Sequence, residues 1–233
     1  LKTIKKEAAE SIAVGYLHSY INPKHELETR EILKHHRPDL DVSISSEVAP
    51  EIREYERFST TVCNAYVQPL MASYLSRIKA GLEKKDIYSP FLLITSGGGL
   101  TTLETARKFP IRLVESGPAG GAILASKLSS QLGSDASLSF DMGGTTAKLC
   151  LINAGEPRLS RQFEVDRSYR FKKGSGLPLK IPVIEMLEIG AGGGSIAHVD
   201  KISRIKVGPE SAGSSPGPAS YNLGGSEPTV TDA

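Results

Sequence analysis

Apolar and aromatic positions recur at three- or four-residue steps over Ile52, Tyr55, Ser59, Val62, Tyr66, Leu70, Tyr74, Ile78 and Leu82, the period of one helical face. The stripe predicts a long helix that packs this face against a sheet. Pro69 falls inside it, and a proline lacks the N–H and crowds the preceding turn, so a kink or break is expected there. Upstream, Lys2–Ser11 suits an amphipathic helix and Ile12–Leu17 a short buried strand. Lys24–His36 is a charged helix with Pro23 at its start and Pro38 just beyond its end, and Val42–Ser45 an extended segment.

From Phe91 the pattern alternates. Phe91–Thr95 is a short apolar strand closed by Ser96, Gly97, Gly98 and Gly99, with a helical segment after it. Ile111–Val114 reads as a strand, and Ser116-Gly117-Pro118 opens a small-residue helix from Ala119 to about Leu132. Strands over Ser137–Phe140 and Ala147–Ile152 flank Asp141-Met142-Gly143-Gly144-Thr145-Thr146. Ile181–Ile189 is a further strand, running into Gly190-Ala191-Gly192-Gly193-Gly194-Ser195. Strand, glycine turn, helix in succession predicts an α/β domain that binds ligands at strand ends. From Gly174 onward lie 11 of the 23 glycines and 6 of the 14 prolines, which predicts an ordered Gly/Pro-rich loop region.

The 233 residues suffice for one large domain or two small lobes. A net charge of +2 argues against nucleic acid as main partner, because phosphate-backbone binding needs a basic excess or stripe. No apolar run is long enough to span a membrane, and the start lacks the apolar core of a secretory signal. Cys63 and Cys150 form no Cys-x-x-Cys pair, so a reducing, cytoplasmic setting is expected. The chain opens without a Met inside a helical pattern and stops at Ala233 without a terminating one, which reads as an internal piece of a longer polypeptide.

The chemistry concentrates in the glycine turns. In Asp141–Thr146, glycines allow a phosphate to approach the backbone, successive N–H groups form an anion-binding concavity, and Thr145 and Thr146 offer hydroxyls. Asp141, at the strand end, is placed to hold Mg²⁺ through water or to orient an attacking group. The same six residues also suit an ordinary hairpin. Ser96–Gly99, the helix-opening Ser116–Gly121 and Gly192–Gly194 are further candidates, each equally readable as a tight turn or a close packing contact. No P-loop occurs, and a Gly-x-Gly-x-x-Gly begun by Gly190 and Gly192 ends on Ser195. Gly213–Gly217 matches a nucleophile elbow in letters but lies in a Pro-rich loop, and the five histidines lack metal-ligand spacing. Arg167, Arg170, Lys172 and Lys173 form a small basic run that reads as a solvated loop.

Taken in order, these segments resemble the hydantoinase A/oxoprolinase family. The resemblance is carried by Asp141–Thr146, Glu188–Ser195, Val207–Gly213 with Pro216-Gly217-Pro218 and Tyr221, and earlier by Asn22-Pro23, His25-Glu26, Glu47, Pro50-Glu51, Glu54–Arg57 and Asn64–Tyr66. It implies an actin-like (ribonuclease H-like) ATPase fold, here incomplete, with residues 1–45 ending a first lobe and 46–233 forming the second, phosphate-binding lobe. It further implies ATP and Mg²⁺, with Asp141 as catalytic acid and metal ligand. Gly143, Gly144, Thr145 and Thr146 would lie on the phosphates, with Ser96–Gly99 and Gly192, Gly193 and Gly194 lining the nucleotide.

The implied activity is phosphorylation of a cyclic amide oxygen before ring opening, with a hydantoinase B-type subunit or domain as partner in an oligomer. An ATP-dependent ketone carboxylase subunit and a non-catalytic nucleotide-binding module are the alternatives. Three departures stand out. No Asp-x-Gly-Gly-Thr precedes Asp141, Lys148 stands where many members carry an acidic residue, and Ser220 stands where many carry Cys. Glu188 and Asp232 are weaker polar candidates.

Overall fold

The computed structural model describes Ile4 and residues 6–169 and 174–233. In chain order the first elements are β1 (Ser11–Val14), α1 (Lys24–His36), β2 (Asp41–Ile44), α2 (Ser45–Val48) and α3 (Glu54–Glu83). They are followed by β3 (Leu92–Ile94), β4 (Leu100–Thr102), α4 (Leu103–Lys108), a 3₁₀ turn (Pro110–Leu113) and α5 (Ser116–Gln131). Next come β5 (Ala136–Met142), β6 (Ala147–Asn153), β7 (Glu156–Pro157), β8 (Leu159–Ser160) and β9 (Phe163–Val165). The last strands are β10 (Leu177–Leu179), β11 (Val183–Ile184), β12 (Leu187–Ile189), β13 (Ser195–Val199) and β14 (Ile205–Ser211). Two compact units form, one from residues 1–119 and 159–183 and the other from 120–158 and 184–233.

In the first unit, β1 and β2 pair in parallel from Ser11 opposite Asp41 to Val14 opposite Ile44, with α1 as the connection. Helix α1 keeps the predicted ends. Lys34, His35 and His36 in its last turn favour the negative end of the helix dipole, and the Arg37 N–H caps the Leu33 carbonyl. Val14, Leu33, Leu40 and Ile44 form the core beneath it. A second core joins Val48, Ile111, Leu179, Ile181 and Val183, and a third Leu75, Leu103 and Ala106.

Helix α3 inverts the sequence expectation. The stripe expected in the core faces solvent, with Tyr66 83% and Leu70 71% exposed and Tyr55, Val62 and Tyr74 exposed beside them. Buried instead are Arg57, Thr60, Thr61, Asn64, Ala65, Gln68 and Leu75, together with Ser59 of the stripe, whose hydroxyl has no hydrogen-bond partner among the described residues. Hydrogen bonds make this arrangement stable. Asn64 Nδ2 donates to Ser43 Oγ (2.9 Å) and the Lys108 carbonyl (3.1 Å), and Ser43 Oγ donates to Gln68 Oε1 (2.8 Å). Thr60 Oγ1 accepts from the Lys180 N–H at 2.8 Å. A buried polar face with partners avoids the desolvation penalty that unpartnered groups would carry. The helix also runs through Pro69 without a break, anchored on either side by Gln68 and Leu75.

The segments Asn22–Glu26, Glu47–Glu51 and Glu54–Arg57 meet around one buried charge network. Glu26 is fully buried and accepts from Ser45 Oγ (2.6 Å) and the N–H groups of Ser46 (2.8 Å) and Tyr16 (2.9 Å). Arg57, also fully buried, donates to Ser45 Oγ, the carbonyls of Tyr16 and Glu51, and Glu54 Oε1. Burial by itself pushes the Glu26 carboxyl up, but the Ser45, Ser46 and Tyr16 hydrogen bonds outweigh it and hold the group below its ordinary value. Ionised Glu26 therefore adds stability above its unfolded pKa of about 4.3, and that stability is lost as pH falls through the depressed folded value. Glu26→Gln is expected to cost about 3 kcal/mol at pH 7 and to flatten the acid limb of the stability curve. Urea unfolding from pH 7 to pH 3 reads both, and an acid limb unchanged in the variant contradicts the assignment.

In the second unit an antiparallel sheet runs in the order β12–β6–β5, with β7 pairing β6 beyond β12, and β13 pairs with β14. Ala147, Cys150 and Ile152 are buried along β6. The expected strand Ile111–Val114 is instead the 3₁₀ turn begun by Pro110, whose fixed φ suits a helical start. The expected strand Ile181–Ile189 is divided between β11 and β12. The Gly/Pro-rich end is ordered: β14 pairs with β13 from Ile205 to Val207, and after an irregularity in register again at Ser211 opposite Ser195. Of the expected helix Lys2–Ser11, Lys2, Thr3 and Lys5 lie outside the described residues, and Ser11 opens β1. No helix among the described residues is long and apolar enough to cross a membrane, and Cys63 and Cys150 are both free thiols.

Candidate functional site

Asp141–Thr146 forms the turn of the β5–β6 hairpin, with Met142 paired to Ala147 and the Gly143 N–H donating to the Thr146 carbonyl (2.9 Å). Gly190–Ser195 lies directly against it. The Gly193 N–H donates to the Gly143 carbonyl (2.9 Å) and the Gly194 N–H to the Gly144 carbonyl (2.7 Å). A Cβ on Gly192 would stand 2.6 Å from backbone atoms of Gly144 and Thr145, so only glycine permits this approach. Ser195, 2% exposed, closes the second turn, its hydroxyl accepting from the Gly192 N–H and its own N–H donating to the Gly192 carbonyl.

A third segment braces the pair from behind. The Thr231 N–H donates to the Gly193 carbonyl (2.9 Å), and the Ala212 N–H to the Gly194 carbonyl (2.8 Å). Thr231 is held by a capping box in which Asp232 accepts from the N–H and the hydroxyl of Thr229, both at 2.8 Å. The N–H groups of Ser220 (2.8 Å) and Ala219 (3.3 Å) also donate to Asp232. These bonds, that from Ser220 first, hold the Asp232 carboxyl far below the usual aspartate range. Asp232 is a structural anchor of the site. The Thr229-x-x-Asp232 spacing carried that signal in the sequence, and reading the end of the chain as loop alone missed it.

The donor inventory decides what this arrangement can do. The N–H groups of Gly193 and Gly194 are committed to carbonyls, so the second turn acts as a support for the first. Among the described residues no carbonyl accepts from the N–H groups of Gly144, Thr145 or Thr146, and Gly144 and Thr145 are exposed. Three successive N–H groups without a backbone partner are donors of the kind an anion can accept from. Asp141 is exposed on the last turn-ward row but one of β5. Among the described residues no group of three or more His, Cys, Asp or Glu side chains could hold a metal. A lone carboxylate beside open amides is a donor set that Mg²⁺ could use, since it binds through one or two carboxylates completed by water and phosphate oxygens.

Ser96–Gly99 lies in the first unit, as the turn between β3 and β4. Ser96 is 1% exposed and gives both its N–H (2.8 Å) and its hydroxyl (2.7 Å) to the Arg112 carbonyl, while Gly98 supplies the positive φ that the turn requires. The structure thus brings Asp141–Thr146 and Gly192–Gly194 together within one unit. Of the basic run, Arg167 pairs with Glu164 at 3.1 Å, and Arg170, Lys172 and Lys173 lie outside the described residues.

Fold and site define a mixed α/β protein with a braced glycine turn suited to an anion. The chain belongs to the hydantoinase/oxoprolinase family, whose model matches residues 57–233, while the model of the family's N-terminal region matches residues 1–37. It is 43% identical over 99% of its length to an uncharacterized protein of Methanocaldococcus jannaschii, covering 34% of that protein. It is 37% identical over 98% of its length to caprolactamase subunit alpha of Pseudomonas jessenii, covering 32% of it. The crystal structure of the ATP-dependent caprolactamase from that organism matches with a TM-score of 0.75 at 35% identity, over 99% of this chain and 32% of that one. A nucleotide-free structure of acetone carboxylase, from work on ATP-dependent acetone carboxylation, matches with a TM-score of 0.74 at 28% identity, again over 99% and 32%. The chain therefore spans about a third of the length of these relatives.

Proposed function

We propose that this chain is the phosphate-binding part of a larger ATP-dependent subunit that activates a cyclic amide for ring opening. The observation that carries the reading is the set of open amides on Gly144–Thr146, fixed by the Gly192–Gly194 turn and adjoining Asp141. The likeness to an ATP-dependent caprolactamase supports ATP as the anion and a lactam, hydantoin or oxoproline ring as substrate class. In this reading the fold is an actin-like ATPase lobe, with residues 1–45 ending a first lobe. A hydantoinase B-type subunit completes the reaction.

An amide is a poor electrophile because its nitrogen donates into the carbonyl. The amide oxygen attacks the γ-phosphorus and ADP leaves. Water then adds to the activated carbon, the ring C–N bond breaks as the nitrogen takes a proton, and a second water hydrolyses the resulting acyl phosphate to the carboxylate and phosphate. The chain's own residues act by position: the Gly144, Thr145 and Thr146 N–H groups hold the phosphate oxygens and offset charge as it shifts toward ADP. Asp141 orients the reacting phosphate and would hold Mg²⁺, which when bound neutralises charge on the β- and γ-oxygens.

The acetone carboxylase match supports a second reading, in which the same site activates a ketone or bicarbonate for carboxylation. Turnover of ATP by the full-length protein with its partner subunit separates the two. Stimulation by a cyclic amide without bicarbonate is the expected result. Stimulation only by a ketone with bicarbonate selects the second reading, and stimulation by neither rejects both.

A further inference from the structure

Three charged side chains form a row beneath the glycine turns. Lys148 stands opposite Asp141 in the β5–β6 pair and opposite Glu188 in the β6–β12 pair, so all three project from one face of the sheet. Lys148 lies one residue inside the end of β6 that leaves the Gly143–Thr146 turn, and Glu188 one residue inside the end of β12 that enters Gly190–Gly194. Lys148 Nζ is 3.8 Å from Glu188 Oε1, and the lysine side chain is 16% exposed against 54% for the glutamate. The ammonium is thus held near Glu188, one strand away from Asp141. Directly opposed residues of antiparallel strands have Cβ atoms about 5 Å apart, close enough for one charge to be felt by both neighbours.

This order of charges bears on what the turn can accept. Asp141 and Glu188 alone would set two negative charges under a pocket of N–H donors and repel a polyphosphate. The intervening ammonium offsets one of them by pairing with Glu188. We propose that Lys148 is a positioning residue for nucleotide binding, whose charge pairs with Glu188, offsets the Asp141 carboxylate opposite it on β5, and makes the Gly144–Thr146 amides accessible to the phosphates of ATP. The proposal rests on the reading of that turn as a phosphate site and adds a specificity-determining residue to it.

The test is calorimetric titration of the full-length protein with Mg²⁺-ATP. Lys148→Met is expected to weaken binding about 10-fold and Lys148→Glu about 100-fold, with Lys148→Arg within about 3-fold of wild type. Glu188→Gln, at an exposed position, is expected to tighten binding about 3-fold and, combined with Lys148→Met, to recover most of the lost affinity. That recovery follows only from charge, because a packing role for the lysine stem would leave the double variant as weak as Lys148→Met. Thermal melts confirm that each variant is folded, and the Glu188→Gln arm decides the matter even where Lys148→Met does not fold. Wild-type affinity in Lys148→Met, or no change in Glu188→Gln, overturns the role of Lys148 while leaving the phosphate site intact. No binding by the wild-type protein overturns both.

Discussion

Replacing Asp141 by Ala is expected to reduce ATP turnover of the full-length protein by at least about 100-fold, the scale seen when one preorganised electrostatic group is removed from a reacting centre. The carboxylate is exposed, lies one residue from the end of β5, and adjoins a turn with three open N–H donors. No group of three or more His, Cys, Asp or Glu side chains among the described residues could hold a metal on its own, so any Mg²⁺ here would depend on Asp141, water and phosphate. Because Asp141 is on the surface and makes no core contact, the variant should melt like wild type, which separates loss of chemistry from loss of fold. Steady-state hydrolysis with a stimulating substrate is the readout. Turnover within a few-fold of wild type would remove Asp141 from the mechanism.

The second large effect is on folding. Gly192→Ala places a methyl group 2.6 Å from three backbone atoms of Gly144 and Thr145, with no flexible side chain to yield. The two turns must separate, breaking the Gly193-to-Gly143 and Gly194-to-Gly144 hydrogen bonds, at an expected cost of about 3 kcal/mol or more. Gly144→Ala is the control, since a Cβ there meets nothing within 4 Å and its φ is not positive. That variant should keep wild-type stability while crowding the open amides, and so should lose nucleotide affinity without losing fold. Denaturant unfolding and ATP titration of the two variants, side by side, check the contrast. Equal stability of Gly192→Ala and wild type would show that the turns are not locked together.

The local elements were legible where backbone chemistry is strongest. Pro23 and Pro38 gave both ends of α1, and the glycine turn between two strands gave the β5–β6 hairpin. Periodicity misled in α3, because a stripe of Tyr, Val and Leu was taken for the buried face. Arg57, Thr60, Asn64 and Gln68 are buried instead, each satisfied by partners 21 or more residues away or by a backbone carbonyl, and such pairing leaves no periodic trace. The site was half legible for the same reason. Asp141 and the glycines announce a turn, but that Gly192–Gly194 supports Gly143–Gly144 rests on contacts almost fifty residues apart in sequence. Glu26, Glu54, Arg57 and Asn64 belong to the family-like segments and serve the buried polar framework of the first unit.

The central claim is that the Gly143–Thr146 turn receives the phosphates of ATP, and calorimetric titration of the full-length protein with Mg²⁺-ATP, beside Gly144→Ala, tests it most directly. The account predicts saturable binding by wild type and a loss of at least about tenfold in a Gly144→Ala variant of unchanged melting temperature. Equal affinity in the two proteins, or no binding in either, would contradict it and return the turn to the role of a hairpin in the sheet.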